Sequence, residues 1–240
     1  MLGRMFPCMG ATTRMQDPEF VHKAFGDIAG RYVVTNHVLS LGIDVLWRRR
    51  VAREVAKLAP DEVLDLATGT GDLAMAIEKR CPDAVVTGAD FCEPMLEVAR
   101  KRGLENLVVA DGMAMPFEDG AFDVVTVAFG LRNMADWAGA VREMARVIRP
   151  GGTLMVLDFS LPKGGLRRRF YRTYLHGVLP KIAGLITRKR DAYEYLAGSI
   201  EKFPSGEAMC EMLVENGFDE ASAKELTGGV ASLYTATRKS

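Results

Sequence analysis

The sequence predicts an α/β fold: a doubly wound, mostly parallel seven-stranded sheet with a C-terminal antiparallel hairpin and a helical insertion. Three observations predict it. Short apolar runs alternate with helical patterns between residues 63 and 159, which implies a parallel sheet with helices on both faces. The runs are continuously apolar rather than alternating, as in strands buried on both sides. Two last strand-like stretches flank a Gly-Gly pair at 228–229 and read as a hairpin.

Taken in order, residues 1–18 read as a loose tail and residues 19–240 as one domain. Residues 19–58 are helical in pattern, with apolar positions such as Phe20, Ala24, Ile28, Val45, Leu46 and Val51, and Pro60 ends the region. The strand candidates are VLDLA at 63–67, AVVTGAD at 84–90, LVVA at 107–110, FDVVTVAF at 122–129 and TLMVLDF at 153–159. Helices are expected at 72–80, 94–102 and 137–148, and PGG at 150–152 stops the last of these before the fifth strand. Residues 163–202 form the helical insertion. Ser205 is placed to cap a helix that runs to about Asn216 and ends at Gly217. The hairpin strands lie near 219–226 and 230–237.

Composition narrows the classes. The chain has 240 residues, 48% hydrophobic and 26% charged, enough to bury a core without metals or disulfides. Lys plus Arg is 31 and Asp plus Glu is 31, a balance that does not describe a dedicated nucleic-acid binder. Cys8, Cys81, Cys92 and Cys210 form no CxxC pair, and His22, His37 and His176 are the only histidines, so no metal site is expected. Scattered cysteines and the lack of a secretory pattern point to the cytoplasm. No apolar run approaches the roughly 18 residues of a membrane span.

VLDLATGTGD at 63–72 is the strongest local signal: a strand ends, Gly69 and Gly71 allow a tight backbone, and a helix begins at Asp72. Such a loop lets a ligand approach the main chain, although a simple turn gives the same pattern. Asp90 ends the next strand, 19 residues after Gly71, where a carboxylate can accept both hydroxyls of a ribose. Charge then selects the nucleoside. A pyrophosphate needs a helix N-terminus free of anions, and here Asp65 precedes the loop and Asp72 opens the helix. Two carboxylates suit an ammonium and a sulfonium instead, and S-adenosylmethionine carries both. Asp111, with Gly112, follows the third strand and can meet the adenine amino group; a helix cap is the alternative.

LDLATGTGD, GADFCEPML (88–96) and ADGMAMPFEDGAFD (110–123) resemble the class I S-adenosylmethionine-dependent methyltransferases, whose fold is Rossmann-like. AFGLRNMAD (128–136), RVIRPGG (146–152), LDFSLP (157–162), YEYLAGSIEKFP (193–204), LTGG (226–229) and RYVVTNHVLSLGIDVLWRR (31–49) resemble, more narrowly, the C-methyltransferases of menaquinone and ubiquinone biosynthesis. The resemblance implies cofactor contacts from Asp65, Gly69, Thr70, Gly71, Asp90, Phe91, Asp111, Gly112 and Ala128, with S-adenosylhomocysteine as product and no metal. Departures exist. Val33 follows Tyr32 where the family usually has Asp, and Tyr234 stands in place of a usual His. Asp111 and Gly112 occupy positions often held by Asn and Ala, and Asp158 and Leu161 stand where Glu and Lys are common.

The implied reaction is C-methylation of a reduced prenylated quinol, demethylmenaquinol to menaquinol in the favoured reading, with a 2-methoxy-6-polyprenyl-1,4-benzoquinol as the alternative. A neutral quinone carbon is not nucleophilic; a quinol that loses a hydroxyl proton is. Gly130-Leu131-Arg132-Asn133 follows the fourth strand, where the ligand crevice of such sheets lies. Arg132 is placed to stabilise a phenolate and Asn133 to orient a quinol oxygen, making these two the catalytic candidates. A surface ion pair of Arg132 with Asp136 is the alternative. Tyr32, Asn36, Tyr171, Tyr193 and Tyr195 are candidate polar groups for the acceptor pocket, with the insertion lying over it. GxGxxA at 69–74 keeps a dinucleotide oxidoreductase open as a second function, and a non-catalytic binding protein as a third.

Nine basic residues lie between Phe159 and Arg190 with no acidic residue among them: Lys163, Arg167, Arg168, Arg169, Arg172, Lys181, Arg188, Lys189 and Arg190. Aromatic and aliphatic residues interleave with them. The stretch reads as a peripheral docking surface for anionic lipid, or equally as a solvated cationic helix packed on the core. A homo-oligomer is left open, and no nucleic-acid partner is expected.

Overall fold

The computed structural model describes residues 42–173, 177 and 198–240. Helix α1 is Ile43–Ala56. There follow β1 (Glu62–Leu66), α2 (Asp72–Glu78), β2 (Val85–Asp90), α3 (Glu93–Lys101), β3 (Leu107–Val109) and β4 (Phe122–Ala128). After a 3₁₀ turn at Leu131–Asn133 come α4 (Trp137–Val147), β5 (Ile148–Phe159) and α5 (Gly165–Thr173). Helix α6 (Glu207–Glu215), β6 (Phe218–Leu226) and β7 (Ala231–Arg238) complete the described elements. The seven strands lie in the order β3-β2-β1-β4-β5-β7-β6. The first five are parallel, and β7 runs antiparallel to both β5 and β6.

The continuous apolar runs are explained by two buried faces. Val63, Val124, Met155 and Leu157 meet Trp47, Val51 and Val55 of α1 and Leu73 and Ile77 of α2 on one side. Leu64, Leu66, Val125, Val127, Leu154 and Val156 meet Val141 and Met144 of α4 and Met209 and Leu213 of α6 on the other. Successive side chains of a strand point to opposite faces, so a strand covered twice must be apolar at every position. Helix α1 is also tied to the far end of the chain, because Trp47 Nε1 donates to Thr227 Oγ1 at 2.9 Å.

Two boundaries differ from the sequence reading. Strand β5 begins at Ile148, not after the glycines: Phe122 pairs with Ile148, and the register shifts before Val124 pairs with Thr153. The Pro-Gly-Gly segment is therefore an irregularity within the strand, with Gly151 at φ 76°. Ser205 is not the cap of α6; Gly206 is, with no side-chain cap bond. Its amide instead donates to Tyr234 Oη at 3.0 Å, so the helix start is pinned from the sheet. The helix expected within 19–58 is described from Gly42 onward, and earlier residues lie outside the described set. Of the insertion, α5 and residues 198–202 are described as helical. Among the described residues, no helix is long and apolar enough to cross a membrane.

Tyr234 is fully buried, and its hydroxyl is the partner of the Gly206 amide. Tyr234→Phe leaves that amide unpaired, so urea denaturation is expected to show a loss of about 1–2 kcal/mol with an unchanged denaturant slope.

Candidate active site

Strand order reverses between β1 and β4, and a cleft of about 180 Å³ opens there, at the carboxyl ends of the strands. Its floor is built around Asp65, the penultimate residue of β1, which is almost wholly buried. Asp65 Oδ2 accepts from Thr68 Oγ1 at 2.7 Å and from the Ala74 amide at 3.1 Å, and Oδ1 accepts from Thr126 Oγ1 at 2.7 Å. Burial pushes the carboxyl up to about 6, against the pull of the Thr68 and Thr126 hydroxyls, the Arg48 charge and the Ala74 amide.

The glycine loop follows directly. Gly69 and Gly71 take φ of 57° and 83°, a region that favours glycine. The loop is fastened to the second strand: Thr68 N–H donates to the Ala89 carbonyl at 3.0 Å, and Gly69 N–H donates to Asp90 Oδ2 at 2.8 Å. Asp90 Oδ1 accepts from the Cys92 amide at 2.9 Å. Asp90 thus shapes the loop while facing the cleft beside Phe91. Thr70 is buried, and its hydroxyl donates to Asp72 at 3.2 Å.

Asp72 corrects one step of the charge argument. Its carboxylate is paired with Arg102 at 2.7 Å, and Arg102 also donates to the Thr70 carbonyl at 2.6 Å. Of Asp65 and Asp72, Asp65 remains to bias the loop, together with Asp90 on the next strand. The effect of Asp65 is more direct than sequence suggested, because it occupies the Ala74 amide at the start of α2. A pyrophosphate would find that donor taken.

Asp111 and Gly112 line the cleft beyond Asp90. Asp111 does not cap a helix: its Oδ1 accepts from the Met113 amide at 2.9 Å within a turn. Gly112 sits so close to Met134 that a Cβ would lie 2.9 Å from Cε. Ala128, at the end of β4, lines the opposite wall with Phe129, Gly130 and Asn133. Every residue expected to touch the cofactor is thus gathered at one cleft, except Gly71, which stands behind the loop against Leu104.

The acceptor-side candidates divide. Asn133 lines the cleft, and its Nδ2 donates to the Phe129 carbonyl at 3.3 Å. Arg132 turns the other way and is 6% exposed. Its Nη1 donates both to the Phe129 carbonyl and to Asp158 Oδ1, each at 2.7 Å. The surface pair with Asp136 does not form. Asp136 is spent as the N-cap of α4, accepting from the Gly139 amide at 2.9 Å, and the 3₁₀ turn sends Arg132 inward. Tyr171 lies on α5, half-buried and not part of the cleft wall. Tyr32, Asn36, Tyr193 and Tyr195 lie outside the described residues.

Several wall residues were not legible beforehand. Arg48 of α1 reaches the cleft, pairs with Asp44 and places its guanidinium 5.3 Å from the Phe129 ring centroid. Met95, Met113 and Met134 supply a polarisable lining. The helical pattern around Arg48 does not say that α1 packs against α2 and β5. Ala67 and Phe129, at the ends of the adjacent strands β1 and β4, both take left-handed φ, 53° and 60°. Non-glycine residues held there cluster at functional sites.

Comparison with known proteins agrees with this geometry. The sequence profile of the ubiE/COQ5 methyltransferase family matches residues 12–238. A demethylmenaquinone methyltransferase of Thermus thermophilus is 48% identical over 219 residues, covering 89% of this chain and 99% of that protein. A ubiquinone/menaquinone biosynthesis C-methyltransferase of Bdellovibrio bacteriovorus is 40% identical, covering 93% and 97%. Among solved structures, a SAM-dependent methyltransferase of Thermotoga maritima superposes with a TM-score of 0.63 at 19% identity, covering 90% of this chain and 98% of that one. Human N-acetylserotonin methyltransferase superposes with a TM-score of 0.56 at 16% identity, covering 98% and 61%. These two share the fold. With a profile that spans nearly the whole chain and relatives identical at two positions in five or more, the chain belongs to the ubiE/COQ5 methyltransferase family.

Proposed function

We propose that the protein transfers a methyl group from S-adenosylmethionine to a ring carbon of a reduced prenylated quinol, converting demethylmenaquinol to menaquinol. The observation that carries this reading is the Asp65 carboxylate, buried beneath the glycine loop and already holding the Ala74 amide in the first turn of α2. That arrangement disfavours a pyrophosphate and favours a cationic amino-acid moiety. Asp90, at the end of β2, has the acceptor capacity for ribose hydroxyls, and the Asp111 turn lies farther along the same wall. The residues present therefore fit S-adenosylmethionine, which supplies an electrophilic methyl on a sulfonium.

On the acceptor side, the chain must hold the quinol, favour loss of a hydroxyl proton and exclude water. The Asn133 carboxamide at the cleft wall is suited to orient a quinol oxygen. Arg132 is the fixed cation behind it. With a guanidinium that stays protonated, it acts by electrostatic stabilisation of the phenolate rather than as a base. The naphthoquinol is preferred to the benzoquinol because the Thermus relative at 48% identity is named for demethylmenaquinone.

The deciding experiment offers the purified protein labelled S-adenosylmethionine with reduced demethylmenaquinol or the demethylated benzoquinol, and follows the label by mass. Methylated naphthoquinol in excess is the expected result. Methyl transfer to neither ring, together with tight NADH binding, would overturn the reading in favour of an oxidoreductase.

Asp65 gives the cofactor site a pH dependence. Its carboxyl titrates near 6, above its ordinary 3.8. An ammonium prefers the carboxylate, so affinity is expected to fall as the pH drops through about 6, with proton release on binding near that pH. The sign is opposite for the protein alone. A raised pKa means that protonation favours the folded state, so this group's contribution improves as the pH falls from about 6 toward 3.8. Calorimetric titration with S-adenosylhomocysteine on both sides of that range measures the first effect. A pH-independent affinity would remove Asp65 from the ammonium site.

The reading also includes peripheral, reversible docking on anionic membranes through the basic insertion. Lys163, Arg167, Arg168 and Arg169 at the start of that segment are all exposed, which supports it. Each such residue near an anionic leaflet contributes about 1 kcal/mol. Changing Arg167, Arg168 and Arg169 to Glu is expected to abolish salt-sensitive cosedimentation with phosphatidylserine vesicles while sparing turnover of a short-chain quinol. Unchanged cosedimentation would place docking elsewhere.

A further inference from the structure

Asp158, near the end of β5, is 0% exposed and faces Arg132 across the ends of two neighbouring strands. The pair is poorly saturated. Arg132 Nη1 serves both Asp158 Oδ1 and the Phe129 carbonyl, and Oδ1 also accepts from the Phe159 amide at 2.8 Å. Arg132 Nε and Asp158 Oδ2 are buried with no hydrogen-bond partner among the described residues. A buried ion pair is at best a weak stabiliser, and one that leaves a donor and an acceptor unpaired is worse. Two apolar side chains of similar volume can replace such a pair without loss of stability, although the guanidinium also has the Phe159 ring centroid at 5.3 Å and that of Phe129 at 6.0 Å.

What the pair does accomplish is geometric. Phe129 is held at φ 60°, and its amide donates to the Leu157 carbonyl at 2.8 Å. Its own carbonyl receives Arg132 Nη1 at 2.7 Å and Asn133 Nδ2 at 3.3 Å. That carbonyl is therefore an anchor for the Asn133 carboxamide on the cleft wall. Its other side-chain donor is Arg132, and Arg132 is aimed by Asp158. Charge is needed for this, because a neutral partner would not hold a guanidinium that also has two aromatic faces to rest on.

We propose that Asp158 is a positioning residue for methyl transfer: it fixes Arg132, and through the Phe129 carbonyl it fixes Asn133, at the acceptor side of the cleft. The inference rests on the acceptor-side role given above to Arg132 and Asn133. Asp158 itself touches neither substrate nor cofactor.

The test compares Asp158→Asn, Arg132→Lys and the apolar double variant Arg132→Met/Asp158→Leu with the parent protein. Turnover of reduced demethylmenaquinol, KM for S-adenosylmethionine and thermal unfolding are measured for each. Asp158→Asn is expected to lower kcat by about 10–100-fold with KM for the cofactor unchanged, the scale of losing a group that orients a reacting one. The double variant is expected to unfold at or above the parent temperature and to be inactive, a split that a purely structural pair would not produce. Asp158→Asn with normal kcat, beside an impaired Arg132→Lys, overturns the inference alone. A fall in kcat that always accompanies an equal loss of cofactor affinity and of unfolding temperature also overturns it. Normal turnover in Arg132→Lys overturns the role given to Arg132, and the inference with it.

Discussion

A carboxylate buried at the end of a central strand must be surrounded by donors, and the cleft of this protein is organised by the donors that Asp65 requires. They come from three elements: Thr68 in the glycine loop, Thr126 on β4 and the Ala74 amide on α2. Satisfying them curls the loop back under its own strand and draws the start of α2 toward β1. The curl brings the Gly69 amide to Asp90, so that a second carboxylate ties β2 to the same loop. The loop's left-handed glycines are consequences of this closure, because no side-chain-bearing residue enters it without strain. A chain of carboxylate-to-donor contacts thus runs across three strands before any ligand is considered.

The electrostatic selectivity of the cleft follows from how those contacts are distributed. The Ala74 amide at the start of α2 is consumed by Asp65, and Asp72 is neutralised by Arg102. The loop is left with Asp65 beneath it and Asp90 beside it, two buried carboxylates that hold amides of the chain itself. A phosphate brought to it would face repulsion without gaining that amide, whereas an ammonium would relieve the cost of burying Asp65. Ligand choice here depends less on the number of acidic residues than on which of them are already paired.

The sheet was legible because strands buried on both faces announce themselves as uninterrupted apolar runs, and VLDLA and FDVVTVAF did so. The boundaries that sequence missed are those set by tertiary contact. Strand β5 starts early because Phe122 pairs with Ile148 across the Pro-Gly-Gly irregularity, and α6 begins at Gly206 because Tyr234 reaches it from β7. The residues expected to meet the cofactor gather at one cleft for a related reason. They follow the carboxyl ends of strands β1 to β4 at short spacing, so local pattern locates them. The wall proposed for the acceptor is assembled by packing between distant segments. Arg48 arrives from α1 and Asp158 from the end of β5, and no spacing rule links either to Gly130-Leu131-Arg132-Asn133. Local pattern marked Arg132 as a polar residue in a loop, whereas its pairing with a residue 26 positions away buries it.

The wall where these segments meet has an internal logic of charge and strain. Trp47, Phe129 and Phe159 form one aromatic cluster, with ring centroids 4.8–6.2 Å apart. Two guanidiniums border it, Arg48 neutralised by Asp44 and Arg132 by Asp158. Each cation brings its own anion, so neither guanidinium is loosely held. An apolar ring can therefore approach without displacing a loosely held ion. Left-handed Ala67 and Phe129 cost of order 1–3 kcal/mol each and are held by the paired strands behind them. That strain is met in folding rather than on ligand binding, so the wall's backbone shape does not wait for a ligand. A preset shape at this point suits a displacement reaction, since a ring carbon and a methyl group react only when held in line.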